Sequence, residues 1–213
     1  MLHSFGRWLT GAILALSLTV SGAGSARAQT PSAATYPVAP DPAECVVAPA
    51  SVDEIAAILG TPGALPAASP APFVIPAGAA ADAETAAEVI ATLRQVFACA
   101  NAGDPLRFAS LFTDDFVRDF FGGVTLDDVR GFLASPPQPL PEDQKRVIIR
   151  FGDVQLLPDG RAGVVIVLDE PDDPRTEEPD YAILERGEGR WFVDEIHEDG
   201  GAAATPASGT PAA

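Results

Sequence analysis

The chain has 213 residues, and its 13 basic and 30 acidic side chains give it a formal net charge of −17 at pH 7. A surface of this sign repels phosphate backbones and anionic lipids, so the composition argues against nucleic acid and membrane partners. The sequence has no glycine-rich phosphate loop, nucleophile elbow or zinc-ligand cluster, and we expect neither a cofactor nor a bound metal.

The first 28 residues have the pattern of a secretory signal peptide. A basic start with Arg7 precedes the apolar run Leu9 to Val20, and Ala26-Arg27-Ala28 is a small-x-small cleavage signal. The run of about a dozen apolar residues is shorter than the roughly 20 that a membrane-spanning helix needs. We therefore expect cleavage after Ala28 and a secreted or extracytoplasmic chain, with an uncleaved signal anchor as the alternative.

The next segment, residues 29–82, is rich in Ala and Pro, a composition that favours extended and poorly packed backbone. Within this tether a short helix is predicted over 51–59, because Ser51 and Glu54 have the capping-box spacing and Gly60 supplies a stop. At the other end, residues 201–213 form a Gly, Ala, Pro and Thr tail that we expect to be disordered. The residues between, 83–200, are enough for one domain.

A long helix is predicted at the start of this domain. Apolar residues recur at three- and four-residue steps from Ala86 to Ala100, which indicates a helix of about five turns that begins near Asp82. Asn101 and Gly103 tolerate the left-handed backbone that closes a helix. The apolar stripe of this helix should face the core.

Two shorter helices are predicted to follow. Asp104 can cap the second helix and Pro105 suits its first turn, so we expect it over about 105–112 with a further turn from 114 to 120. Thr125 can cap a third helix that ends near Ala134. The first half of the domain is thus predicted to be helical.

The second half is predicted to form an antiparallel meander of strands, and the architecture to be α+β. The predicted strands cover residues 146–157 (with an irregularity at Gly152), 162–168, 181–186 and 190–196. The run 163–168 is apolar on both faces of its strand, whereas an antiparallel strand usually needs only one covered face. We therefore expect something other than the three helices to cover the second face.

The order of these elements resembles the nuclear transport factor 2-like superfamily, which includes SnoaL-like and ketosteroid-isomerase-like proteins. The resemblance covers about residues 83–200 and rests on the helix ending in Asn101-Ala102-Gly103-Asp104, the helix ending in Leu111 to Phe116 and the strand Gly189 to Ile196. It implies three helices packed in a strongly bent antiparallel sheet, a cone with a pocket at its open end, and frequent dimerisation through the sheet. It implies no particular reaction, because this fold carries many functions.

Catalytic candidates can be sought by comparison with the enzymes of that superfamily. A ketosteroid-isomerase-like site needs a carboxylate base and a tyrosine on the first helix, and that helix has no tyrosine here. Asp119 lies near the expected place of the base, so it is the candidate base, with Arg118 or Tyr181 assisting. A dehydratase-like site would have to use His197, which ends the last strand.

Acid-arginine relays like those of epoxide hydrolases would have to come from Asp115, Arg118 and Asp119, or from Arg150 and Asp153. Neither set repeats the strand-borne spacing of that family. These residues are more economically explained as exposed or capping side chains.

The two cysteines, Cys45 and Cys99, are a candidate disulfide, since export permits oxidation. Counting 100° per residue places Cys99 about 115° from the centre of the apolar stripe, at the edge of the buried face. A bond would close a loop of about 55 residues and stabilise the fold by roughly 4 kcal/mol. The tether around Cys45 and the helix 51–59 would then fold back and cover apolar surface; a sheet-to-sheet homodimer or a free thiol at Cys99 are the alternatives.

Two functions of different class follow from these predictions. The first is a non-catalytic exported module that binds a small apolar or amphipathic ligand, or a protein, through the cone or the sheet. The second is a SnoaL-like isomerase, dehydratase or hydrolase that uses a pocket carboxylate. A carboxylate inside the pocket with a donor in hydrogen-bond reach would favour the enzyme, and an apolar interior would favour the binding module.

Overall fold

The structure is a computed structural model, and it describes residues 36–60, 73–171 and 178–198. These residues all belong to one unit of the chain, which begins at Thr35. The predicted signal peptide over 1–28 and the predicted tail over 201–213 lie outside the described residues. Within the described ranges, no helix has both the length and the apolar character needed to cross a bilayer.

The described part of the chain contains five α-helices. They are α1 (Val52–Gly60), α2 (Ala83–Asn101), α3 (Pro105–Ala109), α4 (Asp114–Phe120) and α5 (Leu126–Leu133). The helix starts lie where they were predicted, near Asp82 for α2 and after the predicted caps Asp104 and Thr125 for α3 and α5. The side chains of all three residues accept a backbone N–H of the first turn of their helix. The helix predicted over 105–112 is shorter, because α3 ends at Ala109 before the chain turns.

Six strands form one antiparallel sheet in the described residues. They are β1 (Ala79–Ala80), β2 (Val147–Phe151), β3 (Gln155–Leu156), β4 (Ala162–Asp169), β5 (Pro179–Gly187) and β6 (Arg190–His197). The order is β1-β3-β4-β5-β6, and β2 pairs with the other end of β4. The α+β class and the antiparallel meander are therefore confirmed.

Besides a register shift in β2 between Ile148 and Arg150, two irregularities shape the sheet. The strand predicted over 146–157 is interrupted at Gly152, whose N–H donates to the carbonyl of Val165 at 2.8 Å, so it forms the separate strands β2 and β3. The second irregularity is a bulge in β6, where Ile183 pairs with Glu195 but Leu184 pairs with Val193. Asp194 is the extra residue of this bulge, and bulges commonly redirect a side chain.

The main core lies between the helices and one face of the sheet. Val89 and Leu93 of α2 are almost fully buried, as are Val164 of β4, Leu184 of β5 and Val193 of β6, and all five belong to one apolar cluster. Burying such side chains contributes most of the stabilisation of a small domain. The apolar stripe predicted for α2 therefore faces the core.

The opposite face of the sheet has a separate apolar cluster of Leu157, Tyr181 and Ile183, against which Phe73 and Ile75 pack. The expectation that something other than the three helices covers this face is thus confirmed. The cover is the segment just before β1, which shows no helical or strand pattern of its own in the sequence.

The short helix predicted over 51–59 is present as α1, and it packs on α4 and α5 rather than on the sheet. Its Ile55 is only 2% exposed and belongs to the main core. Further upstream, Val38 forms an antiparallel bridge with Ile148 of β2. The described parts of the Ala/Pro-rich segment therefore pack on the domain, as the hypothesis of a folded-back tether around Cys45 and helix 51–59 predicted. The extended composition alone does not predict it.

Cys45 and Cys99 form the predicted disulfide. Cys99 is 0% exposed. The reason is that the residues around Cys45 lie against α2 and cover this side of the helix. The Gln95 side chain bonds this segment twice, accepting from Val46 N and donating to the Glu44 carbonyl.

Candidate functional site

Four phenylalanines of α3, α4 and the turn between them form a closed ring of aromatic contacts. The ring centroids of Phe108 and Phe112 are 4.7 Å apart, those of Phe112 and Phe116 are 4.4 Å apart, and those of Phe116 and Phe120 are 6.2 Å apart. The centroid of Phe120 then returns to within 6.3 Å of Phe108. These separations fall within the usual range for favourable aromatic pairs, with the shortest at its lower edge. We call these four residues the phenylalanine ring.

The local sequence explains why the four rings meet. Thr113 caps α4 by accepting the N–H of Phe116, so α3 and α4 are separate helices with a sharp turn between them. The turn is fixed to the sheet, because Thr113 N donates to the Val193 carbonyl and Val193 N donates to the Leu111 carbonyl, both at 2.9 Å. Phe112 lies between these two bonds and is held against β6.

A cavity of about 480 Å³ opens beside the phenylalanine ring. This volume is in the range of small-molecule sites. Phe121 and Phe132 also line the cavity and pack on each other, with centroids 6.4 Å apart. Phe112 is 6% exposed, whereas Phe120 and Phe132 are each 56% exposed. The aromatic lining thus continues from a buried wall to an exposed mouth.

The polar lining of the cavity comes from other parts of the chain. Asp104, at the start of α3, and Arg146, just before β2, both line it, together with the exposed residues Ser135 and Gln138. Both carboxylate oxygens of Asp104 are engaged by Arg107: Oδ1 accepts the backbone N–H at 3.0 Å and Oδ2 accepts the guanidinium at 2.9 Å. Asp104 is 7% exposed, so it serves as a buried helix cap.

Asn101, at the end of α2, holds the segment that carries Arg146. Its Oδ1 accepts the N–H of Arg146 at 2.9 Å, and its Nδ2 donates to the carbonyls of Arg146 and Pro40, both at 3.1 Å. Asn101 is 0% exposed, and its own carbonyl accepts the N–H of Leu140 at 2.8 Å. A fully satisfied buried amide of this kind fixes the relative positions of the segments it joins.

A second cavity, of about 420 Å³, is lined mainly by acidic side chains. The carboxylates are Asp114, Asp115, Glu185, Glu188 and Asp194. Arg118 is the cation at this cavity and is paired with Asp115. In the part of the chain that the structure describes, no three His, Cys, Asp or Glu side chains are arranged to hold a metal ion.

The catalytic candidates predicted from the sequence are not brought together. Asp119 is exposed and lines neither cavity. Arg118 points to the acidic cavity, and Tyr181 is 2% exposed in the cluster on the opposite face of the sheet. The hydroxyl of Tyr181 has no hydrogen-bond partner among the described residues, and burial raises its pKa.

The alternative polar residues are also separated from the aromatic cavity. Arg150 and Asp153 are both exposed. His197 stacks on Phe73, with ring centroids 3.5 Å apart, and its Nε2 lies 2.7 Å from Glu195 Oε2. Burial opposes ionisation of Glu195, but hydrogen bonds from Arg161 and His197 hold the pKa of its carboxyl below the ordinary value.

The phenylalanine ring was missed by the sequence analysis, although the sequence carries a signal for it. Phe108, Phe112, Phe116 and Phe120 are spaced by four residues, the spacing that aligns side chains along one helix face. The predicted break between the two helices obscured this pattern. The contacts of Phe112 across the turn and the return of Phe120 to Phe108 depend on the tertiary fold.

Comparison of the chain with protein-family models, with curated proteins and with solved structures finds no match in any of the three. The candidate function therefore rests on the geometry of the site.

Proposed function

We propose that this chain is an exported module with a nuclear transport factor 2-like cone fold, which binds a small apolar ligand at the phenylalanine ring and performs no chemistry on it. The observation that carries the proposal is the aromatic cavity of about 480 Å³, with its two exposed phenylalanines at the mouth. Large aromatic side chains left half exposed beside a concave apolar surface are typical of ligand sites.

The composition of the cavity supports binding rather than catalysis. A general base or nucleophile must be able to reach the substrate in a reactive state. Asp104 is the carboxylate among the described lining residues, and Arg107 already occupies both of its oxygens. A SnoaL-like isomerase, dehydratase or hydrolase would need a pocket carboxylate, and the candidate Asp119 lies outside the cavity.

The disulfide supports the exported location. Structural disulfides persist in oxidising compartments and are rare where thiols are kept reduced. The Cys45–Cys99 bond joins the segment before α1 to the helix whose end borders the cavity. An extracytoplasmic location is the setting in which this bond would be maintained.

Fluorescence titration with the neutral, fluorescent amphiphile N-phenyl-1-naphthylamine tests the proposal. Phe120→Ser and Phe132→Ser, combined in one variant, remove two half-exposed rings from the mouth without opening the core. We expect about tenfold weaker binding, equivalent to roughly 1.4 kcal/mol. The matched control is Val74→Ser, which removes an apolar side chain that is 62% exposed and does not line the cavity.

Equal binding by the double variant and the wild type would contradict the proposed site, as would an absence of binding to the wild type. Circular dichroism and the urea midpoint of each variant separate a loss of the site from a loss of the fold. Turnover of a ligand in the cavity would contradict the non-catalytic part of the proposal.

A further inference from the structure

The aromatic cavity has one charged side chain, Arg146, whose backbone is held in place and whose guanidinium makes one ion pair. Arg146 lines the cavity and is 39% exposed. Its Nε lies 3.0 Å from Glu170 Oε1. A guanidinium carries five N–H donors, and a single carboxylate occupies at most two of them. Arg146 can therefore donate hydrogen bonds to a second carboxylate and keep its ion pair with Glu170.

Arg146 is also well anchored. Its backbone N–H and carbonyl are both bonded to the side chain of Asn101, which is 0% exposed. A donor group that is held in place before the ligand arrives loses little conformational entropy on binding. The fixed backbone and the ion pair to Glu170 together limit where the guanidinium can lie.

The other charge at the cavity is already satisfied. Asp104 is paired with Arg107, so it offers no strong attraction to a cationic ligand. Arg146 is the cation among the described lining residues of a chain whose net charge is −17. Because Asp104 is already paired, Arg146 is the group at the cavity that can attract a charged head group, and that head group would be an anion.

We infer that the ligand is an amphipathic carboxylic acid whose apolar body occupies the phenylalanine ring and whose carboxylate binds the guanidinium of Arg146. This inference rests on the proposed function and specifies its ligand class. The apolar part would be recognised through aromatic contacts, and the carboxylate through charge-assisted hydrogen bonds. Arg146 thus determines specificity, and the phenylalanines provide most of the contact area.

Three matched probes test the inference by isothermal titration calorimetry: 1-naphthaleneacetic acid, 2-(1-naphthyl)ethanol and 2-(1-naphthyl)ethylamine. They share the naphthalene body and differ in the charge of the head group. We expect the acid to bind about tenfold more tightly than the alcohol, and the amine to bind no better than the alcohol.

Arg146→Gln should remove the preference for the acid and leave the affinity for the alcohol within about twofold. Arg150→Gln is the matched control, because it makes the same change in net charge at an exposed residue that does not line the cavity. It should keep the full preference. The comparison separates a direct contact from a change in the overall field of the protein.

Each outcome has a definite meaning. If the three probes bind the wild type equally, or if the amine binds most tightly, the inference is overturned while the aromatic site stands. A preference for the acid that survives in Arg146→Gln also overturns it. If none of the probes binds the wild type, the proposed function fails, and the inference fails with it.

Discussion

The ring of Phe108 in α3 lies with its centroid 6.3 Å from the ring of Phe120 at the end of α4. This contact closes the phenylalanine ring and places both helices along one side of the aromatic cavity. It depends on the turn at Thr113, whose side chain also donates to Asp194 Oδ1 of the bulge in β6 at 2.9 Å. The sheet irregularity and the aromatic site are therefore physically connected.

Truncating a phenylalanine should lower the free energy of unfolding much more at the buried end of the aromatic lining than at its exposed end. Phe112 is 6% exposed and belongs to the main core, so Phe112→Ala should lower the free energy of unfolding by about 3–5 kcal/mol. Phe120 is 56% exposed, and Phe120→Ala should cost less than about 1 kcal/mol. Urea denaturation followed by tryptophan fluorescence measures both values. Similar losses in the two variants would contradict the arrangement described.

The disulfide should contribute strongly to stability. The bond between Cys45 and Cys99 closes a sequence separation of 54 residues, for which loop entropy predicts about 4 kcal/mol. Replacing both cysteines with Ala should lower the free energy of unfolding by about this amount. A reducing agent should shift the urea midpoint of the wild type and leave that of the double variant unchanged. A wild type insensitive to reduction, with two thiols titratable after unfolding, would argue against the bond.

Asn101 should be more important for stability than a typical polar residue. Asn101→Ala removes three side-chain hydrogen bonds, those to Pro40 O, Arg146 O and Arg146 N, and leaves their partners at a buried position. We expect a loss of about 3 kcal/mol in the free energy of unfolding. Gln138→Ala, at an exposed position on the same side of the cavity, should cost less than about 0.5 kcal/mol. Comparable urea midpoints for the two variants would refute the role assigned to Asn101.

The sheet should lose stability in acid through Glu195. Its pKa is lower in the folded chain than in the unfolded chain, because the hydrogen bonds from Arg161 and His197 outweigh the effect of burial. The ionised carboxylate therefore stabilises the fold fully above its ordinary pKa, and this contribution is lost as the pH falls through the lower folded value. The loss should appear below about pH 4 to 5.

In Glu195→Gln, the thermal unfolding midpoint should fall less between pH 7 and pH 3 than it does in the wild type. Glu185→Gln is the control, because Glu185 is an exposed residue of the neighbouring strand β5. An equal fall of the thermal midpoint in the wild type and in Glu195→Gln would contradict the stabilising role of the contact between Arg161 and Glu195.

Local patterns predicted much of this fold. The helix α2 begins at the predicted place near Asp82, and the predicted caps Asp104 and Thr125 begin α3 and α5. The predicted irregularity at Gly152 interrupts the strand. Such features depend on residues close in sequence, so they can be predicted without the tertiary structure. The α+β class follows from their order along the chain.

The packing of the upstream segment was harder to predict. Ile55 is buried because α1 meets α4 and α5, and Cys99 is buried because the residues around Cys45 cover it. The contact at Cys99 was predicted from the pair of cysteines. The Ala/Pro-rich composition carries no signal for the packing of α1 on α4 and α5. Phe73 and Ile75 cover the second sheet face in the same way, from a segment without periodicity.

The candidate site was the least predictable part. The sequence drew attention to carboxylates such as Asp119, whereas the cavity is formed mainly by apolar rings. A charged residue in a sequence is a possible catalytic residue, but it can act as one only if the fold places it in a pocket. The four-residue spacing of the phenylalanines is a signal for the site, but the sequence analysis did not recognise it.

The most direct test of the central claim is an NMR measurement of intermolecular NOEs with 2-(1-naphthyl)ethanol as the neutral ligand. The account predicts NOEs from the naphthalene protons to the ring protons of Phe108, Phe116 and Phe120, and their loss in the Phe120→Ser, Phe132→Ser double variant. NOEs confined to the opposite sheet face, around Phe73 and Tyr181, or no NOEs at a ligand concentration that saturates the protein, would contradict it.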